Sequence, residues 1–262
     1  MSDDKLFNPV IFPYGRKLAA VPLPDSDGFL HTVQFGSPPG HPDVCLIQAS
    51  WNPDRFNEQL FTSLEIPSPS HLTKAVRKRR TEYLASRVLV RHGLGCLGAE
   101  PWVLVNDADR APVWPQGFTG SLSHSHQRIA LLLLSTASRK LAGVDCERVM
   151  RPETAEKMQA MIITAQEKRR LLESGLPLAT ALTVAFSLKE SLYKALYPQL
   201  RQFMDFSAAE IMTCQPDTGE IRLRLTASFS SEFPAGREFT GRVRLTPTEV
   251  LSWVIDPSPS GC

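Results

Sequence analysis

Six consecutive apolar residues at 129–134, Ile-Ala-Leu-Leu-Leu-Leu, form the most apolar stretch of the chain. The run is far shorter than the roughly 18 residues a membrane-spanning helix needs, and its length suits a strand buried on both faces. A chain built on it folds around an internal sheet. Residues 141–147 read as another strand and 102–105 as a short one. The tail alternates in Ile221-Arg222-Leu223-Arg224-Leu225, in Val243-Arg244-Leu245 and through 250–255, the period-two pattern of antiparallel strands. Helical signals lie between these runs. Ser70 as N-cap and Gly93 as stop bracket a helix over 71–93; Pro152 opens one that runs to about 172, ahead of Gly175; a third covers 179–197 and ends at Pro198. On the first helix Leu72, Ala75, Val76, Tyr83 and Val90 fall on the side to be buried, with Arg80, Arg87 and Arg91 along its border. Residues 1–70 are rich in proline and glycine and read as loops with a few strands, 44–49 among them. Each half thus offers helix plus strands. The expectation is an α+β protein of two lobes, 1–138 and 139–262, divided in the polar link at 135–140.

Composition narrows the function classes. The 262 residues are 42% apolar and 21% charged, as in ordinary globular proteins, and the net charge of +2 gives no global field for nucleic acid or membrane. Any electrostatic recognition must be local. The five cysteines, at 45, 96, 146, 214 and 262, are odd in number and widely spaced with no C-x-x-C. That argues against a disulfide framework or zinc ribbon and for a reducing compartment. The first residues carry two acids and no long apolar run behind them, unlike a secretory signal. The expected location is cytoplasmic.

Two clusters carry chemistry. In Gly143-Val144-Asp145-Cys146-Glu147 the carboxylates are two residues apart, so on a strand they share one face while Val144 and Cys146 point the other way. Such a pair either lines a solvated face, paired with Arg148, or shares a cation; oxygen ligands alone select Mg²⁺ or Mn²⁺ over zinc. The third helix carries Phe186-Ser187-Leu188-Lys189-Glu190-Ser191-Leu192-Tyr193-Lys194. Glu190 and Lys194 are either an i, i+4 surface pair worth ~0.3–0.5 kcal/mol or parts of a phosphate-handling site. Ser123 and His124 precede the apolar run, where a loop meets a ligand. As neighbours on extended chain they point apart, which disfavours a nucleophilic dyad and favours hydrogen bonding to a phosphate or nucleotide. His124-x-His126 lacks further ligands at zinc spacing. The basic stretch from Lys74 to Arg91 is a solvated helix face, a weak nucleic-acid patch, or, in its ordered arginines, a phosphate clamp.

These segments together resemble the Sfp-type 4'-phosphopantetheinyl transferases, whose signature is G-[IV]-D-x-E followed some forty residues later by [FW]-S-x-K-E-[SA]-x-x-K. The upstream segments RKRRTEYLASR at 77–87, RAPVWP from Arg110 and GSLSHS from Gly120 match as well. The resemblance covers about 70–215. It implies two similar lobes related by a pseudo-twofold axis, with coenzyme A in the cleft between them. It further implies Asp145, Glu147 and Glu190 around Mg²⁺ (or Mn²⁺), and Ser123 and His124 at the 3'-phosphate region of the adenosine. Arg80, Arg87 and Arg110 would hold the nucleotide end, and Lys189 and Lys194 the pyrophosphate. Ser86 and Cys146 depart from the family pattern, in place of a glycine and a branched aliphatic. The implied reaction moves phosphopantetheine from coenzyme A to a serine of an apo carrier protein and releases 3',5'-ADP. Glu190 would be the base, directly or through a metal-bound water, with Lys194 assisting. The implied partners are carrier proteins or domains of nonribosomal peptide, polyketide or fatty-acid synthases, siderophore synthesis included, and the enzyme would act as a monomer. A metal-dependent phosphohydrolase and a nucleic-acid binder using the basic helix are the competing readings.

Overall fold

The computed structural model describes residues 24–69, 72, 75–215 and 217–259. The chain divides between Ser138 and Arg139 into two compact units.

In the first unit, β1 (Leu30–Gly36), β2 (Val44–Trp51), α1 (Gln59–Ser63), α2 (Arg77–Cys96), β3 (Val105–Asn106), β4 (Pro112–Val113), β5 (Phe118–Ser125) and β6 (Arg128–Ser135) follow in order. The main sheet runs β1-β2-β6-β5, every pair antiparallel. The apolar run lies in β6 between two neighbours, and 129–134 are all buried, as a central strand requires. β5 and β6 form a hairpin whose two turn residues, His126 and Gln127, both have positive φ, the conformation that matches strand twist. Ser123 and His124 therefore sit on a strand, not in a loop. Period alone did not show β5, because its sequence, Phe-Thr-Gly-Ser-Leu-Ser-His-Ser, is mostly small and polar. Gly120 explains part of that composition: a Cβ there would lie 2.3 Å from the Leu132 carbonyl oxygen.

α2 differs from its expected bounds. It starts at Arg77 after Val76 and continues through Gly93 to Cys96, while the proposed cap Ser70 lies outside the described residues. Gly93 does not stop the helix; it lets the helix close on the sheet, since a Cβ would meet Ile47 Cδ1 at 2.6 Å and Leu133 Cδ1 at 2.8 Å. The buried face is Leu84, Ala85, Val88, Leu89 and His92, one or two helical steps round from the expected one. Val90 is buried as expected and Tyr83 half-buried, but Val76 is 72% exposed. Residues 88–90 are apolar on every side, so the pattern underdetermined the rotation. The strand expected at 102–105 reduces to β3, because Trp102 and Val103 pack on the core from irregular chain.

In the second unit, β7 (Lys140–Arg148), α3 (Pro152–Ile162), α4 (Ala165–Glu173), α5 (Leu178–Leu200), β8 (Ala209–Gln215), β9 (Glu220–Leu225), β10 (Glu238–Leu245) and β11 (Glu249–Pro257) follow. The sheet is antiparallel in the order β7-β11-β10-β9-β8. α5 lies across it, burying Leu188 and Leu192 with Ile211, Leu223, Phe239, Val250 and Val254. The single helix expected over 152–172 is two. Thr164 caps α4 in a complete capping box with Glu167, so α3 ends at Ile162 and a separate helix begins at Ala165. α5 runs past Pro198 to Leu200 and ends on Arg201 in the left-handed region. Among the described residues no single helix is long and apolar enough to cross a membrane. α4 and α5 reach that length only as a pair bent by 116°, and α5 is core to its own unit.

Candidate active site

In the second unit the two sequence clusters meet because of glycine and serine packing. A Cβ on Gly143 would lie 1.9 Å from the Ser191 carbonyl oxygen and 2.6 Å from the Ala195 nitrogen, so β7 rests directly on the backbone of α5. One turn apart on α5, Ser187 and Ser191 both reach Ser252 of β11, with Oγ–Oγ distances of 2.7 and 2.8 Å. Ser252 is the register partner of Asp145, so these contacts fix α5 at the level of that carboxylate. Asp145 follows Gly143 on the same strand face and is buried, while Val144 and Cys146 are buried on the other side. Lys194 Nζ donates to Asp145 Oδ1 at 2.6 Å. Glu190, one turn before Lys194, is half-buried, and burial raises its carboxyl above the ordinary glutamate range. Lys194 opposes that rise and Asp145 adds to it. Glu147, half-buried, shares Asp145's strand face.

The acids at 145 and 190 therefore do lie together, on facing surfaces of β7 and α5. Among the described residues no group of three acid, histidine or cysteine side chains is already arranged to hold a metal ion. The charge of Asp145 is met by the Lys194 ammonium. The donor chemistry nevertheless fits a hard divalent cation: three carboxylates, oxygen only, on one strand face and the helix above it.

Lys189 is a correction. Its Nζ bonds to Glu167 Oε1 at 2.7 Å and to the carbonyls of Ile162 and Phe206 at 2.9 and 2.8 Å. An ammonium has three donors, and all are committed inside the protein, so this lysine does not face a pyrophosphate. Burial lowers its pKa, and Glu167 opposes that. Lys194 keeps the expected position beside the acids.

In the first unit a cavity of about 870 Å³ is lined by Lys78, Arg79, Arg87, Arg110, Tyr83 and His124, with the acids Glu82 and Asp107 also on its wall. Arg87 is held on several sides: its Nε donates to the Leu104 carbonyl, its Nη2 to Asn106 Oδ1 at 2.8 Å, and its guanidinium lies 4.3 Å from the Tyr83 ring centre. Ser86, the departure from the family glycine, accepts from Arg87 Nη1 at 3.1 Å and so belongs to the same support. Burial lowers the Arg87 pKa, with Tyr83 opposing. Asn106 also donates to the Arg110 carbonyl, in a turn that holds Arg110 at φ 67°. Asp107 braces the turn by accepting from the Asp109 and Ala111 amides.

Two expected members are elsewhere. Arg80 pairs with Glu58, donates to the Leu72 carbonyl and stacks over Phe61, so it fastens α2 to the preceding segment. Arg91 does the same through Glu65 and the Leu64 carbonyl. The stripe Arg80–Arg87–Arg91 is thus two structural arginines and one cavity arginine, which also weakens the reading of α2 as a nucleic-acid surface; Lys74 lies outside the described residues. Ser123 is buried and does not line the cavity, whereas its neighbour His124 is exposed and does, as alternation on β5 dictates. Sequence reasoning missed Arg79 and Tyr83, although both sit whole helical turns before Arg87, and it missed Asn106. It also missed Glu167, for which the T-x-x-E capping box was the available signal.

With this geometry in place, comparison with known proteins is decisive about family. Residues 68–133 match the 4'-phosphopantetheinyl transferase N-terminal domain and residues 142–242 the 4'-phosphopantetheinyl transferase superfamily. The chain is 33% identical to enterobactin synthase component D of Salmonella typhi over 210 residues, 80% of this chain and 79% of that one. It is 37% identical to the Escherichia coli K12 protein of the same name over 173 residues, 66% and 73% of the two chains. It is 32% identical to the 4'-phosphopantetheinyl transferase Svp of Streptomyces mobaraensis over 192 residues, 70% and 76%. The chain belongs to the 4'-phosphopantetheinyl transferase family, enzymes that transfer the phosphopantetheine group to carrier proteins.

Proposed function

We propose that the enzyme takes its phosphopantetheine from coenzyme A in a Mg²⁺-dependent reaction centred on Asp145, Glu190 and Lys194. The observation that carries this reading is the meeting of the β7 and α5 acids with one lysine, at a level set by Gly143 and Ser252. The first-unit cavity has the size of a small-ligand site, and its cations suit the nucleotide end of coenzyme A. Arg87, pre-ordered by four partners, is matched to a phosphate fork, with Arg110 and His124 beside it.

In the reaction a carrier serine oxygen forms a bond to the β-phosphorus while the bond to 3',5'-ADP breaks. A serine hydroxyl is a weak nucleophile near neutral pH and needs a positioned base. Glu190, beside Asp145 and Lys194, is the carboxylate placed to take its proton. Lys194 places positive charge against the pyrophosphate oxygens as charge grows on the leaving group. Asp145, Glu147 and Glu190 are the residues that would hold Mg²⁺ (Mn²⁺ as substitute), which when bound supplies further neutralisation of the pyrophosphate. Likeness to enterobactin synthase component D supports carrier domains of siderophore or other nonribosomal peptide synthesis as the acceptors.

The test is to incubate the protein with coenzyme A, Mg²⁺ and a panel of apo carrier proteins and weigh the carriers. A gain of about 340 Da, the mass of the arm, on siderophore-type carriers is expected. No gain on any carrier with coenzyme A and Mg²⁺ present would refute the reading. Gain that survives complete chelation would refute the metal.

A further inference from the structure

We infer that Glu167 and Lys189 are positioning residues for Glu190: their buried ion pair sets the rotation of α5 at which the Glu190 carboxyl faces Asp145. The inference rests on the reading of Glu190 as part of the reaction centre. Side-chain exposure is 4% at Lys189 and 1% at Glu167. Beyond the contacts of Lys189 already described, Glu167 Oε1 accepts from the Ile211 amide at 2.9 Å and Oε2 from the Thr164 amide at 2.8 Å. The Ile162 carbonyl that Lys189 reaches ends α3 and is one of the carbonyls a helix cannot satisfy for itself. One pair therefore ties together the end of α3, the start of α4, α5, the turn at Phe206–Ala208 and β8.

Adjacent helix residues are turned by about 100°. Fixing Lys189 on the α3–α4 side leaves Glu190 on the next flank, toward β7. Ser187 and Ser191 hold α5 from the Ser252 side, so the helix is gripped from two directions around Glu190. An apolar residue at 189 would pack as well, but it would not select one rotation. Buried ion pairs contribute little net stability while their hydrogen bonds are directional, so the function of this one is geometric.

The test compares wild type, the neutral double variant Glu167→Gln/Lys189→Met, Glu167→Gln alone and Glu190→Gln. Readouts are Mn²⁺ affinity without coenzyme A, from the electron paramagnetic resonance of free Mn²⁺, together with kcat, the KM for coenzyme A and the thermal midpoint. The double variant is expected to keep its midpoint within a few degrees and its KM, while Mn²⁺ affinity and kcat each fall roughly 10-fold. Glu167→Gln alone, which keeps an amide acceptor, is expected to fold and to show the same direction of loss. A folded double or single variant with wild-type Mn²⁺ affinity and kcat overturns the inference. Failure of both to fold overturns it too, because the pair would then be an element of global stability. Glu190→Gln separates the two readings. If it loses Mn²⁺ affinity and kcat while the double variant does not, only positioning fails; if it keeps both, the assignment of Glu190 itself fails.

Discussion

Glu190 is placed where a carboxylate is expensive: half-buried, close to Asp145, and raised in pKa chiefly by burial. The consequence for stability has a definite sign. A carboxyl whose folded pKa lies above its unfolded value loses stability as pH rises from the ordinary 4.5 through the folded value, because the ionised form is disfavoured only in the folded state. Glu190→Gln removes that loss. In metal-free protein the variant is therefore expected to melt above wild type at about pH 8, with the gap closing toward about pH 4. Thermal melts of both proteins across that range check the prediction; a gap that widens on acidification would contradict it. Arg80 and Arg87 offer a second test at this scale. Arg80→Ala should lower stability by about 1–2 kcal/mol, through its lost hydrogen bonds and ring contact, and leave the KM for coenzyme A unchanged. Arg87→Ala should raise that KM by roughly 10-fold with little change in kcat, as removal of uniform binding does. Steady-state kinetics with both variants distinguish an arginine that holds α2 from one that holds a ligand.

At the scale of elements, the contact between β7 and α5 is what turns two separate motifs into one site. Gly143→Ala places a methyl group within 1.9 Å of the Ser191 carbonyl oxygen, a backbone atom that can move only with the helix. The expected cost is about 1–3 kcal/mol in stability, with a fall in activity as Asp145 and Lys194 separate; denaturant unfolding and transfer rates measure the two effects. Much of this element was legible beforehand. The strand run, the helix run and the facing of Asp145 and Glu147 follow from periods of 2 and 3.6, and the tail strands follow from alternation. What was not legible has local causes. The small residues Gly143, Ser187, Ser191 and Ser252 carry no period, yet they set how closely helix and sheet approach. β5 was hidden by its glycine and serines, and the break between α3 and α4 rests on the capping box of Thr164 and Glu167, which lies between the start signal Pro152 and the stop signal Gly175. The charged residues misled most. Arg80, Arg91 and Lys189 look like ligand-binding cations in sequence, but long side chains also serve as fasteners. Whether a lysine meets a carbonyl or a phosphate depends on packing that the sequence does not display.

At the scale of the whole molecule, each unit is an antiparallel sheet with helices, and each holds its own set of polar residues on rigid elements. The first offers a cation-lined cavity around a pre-ordered arginine, the second an acid–lysine cluster between strand and helix. Transfer of phosphopantetheine asks for both, a grip on the nucleotide and an electrostatic partner for the reacting phosphate. The most direct test of the account is the kcat of Asp145→Asn at saturating coenzyme A, Mg²⁺ and apo carrier protein. That change removes the charge from the centre of the cluster and nearly preserves its shape. If the acids of β7 and α5 are the reaction centre, kcat falls by at least ~100-fold in a protein that still folds. A folded Asp145→Asn enzyme with wild-type kcat would place the chemistry elsewhere.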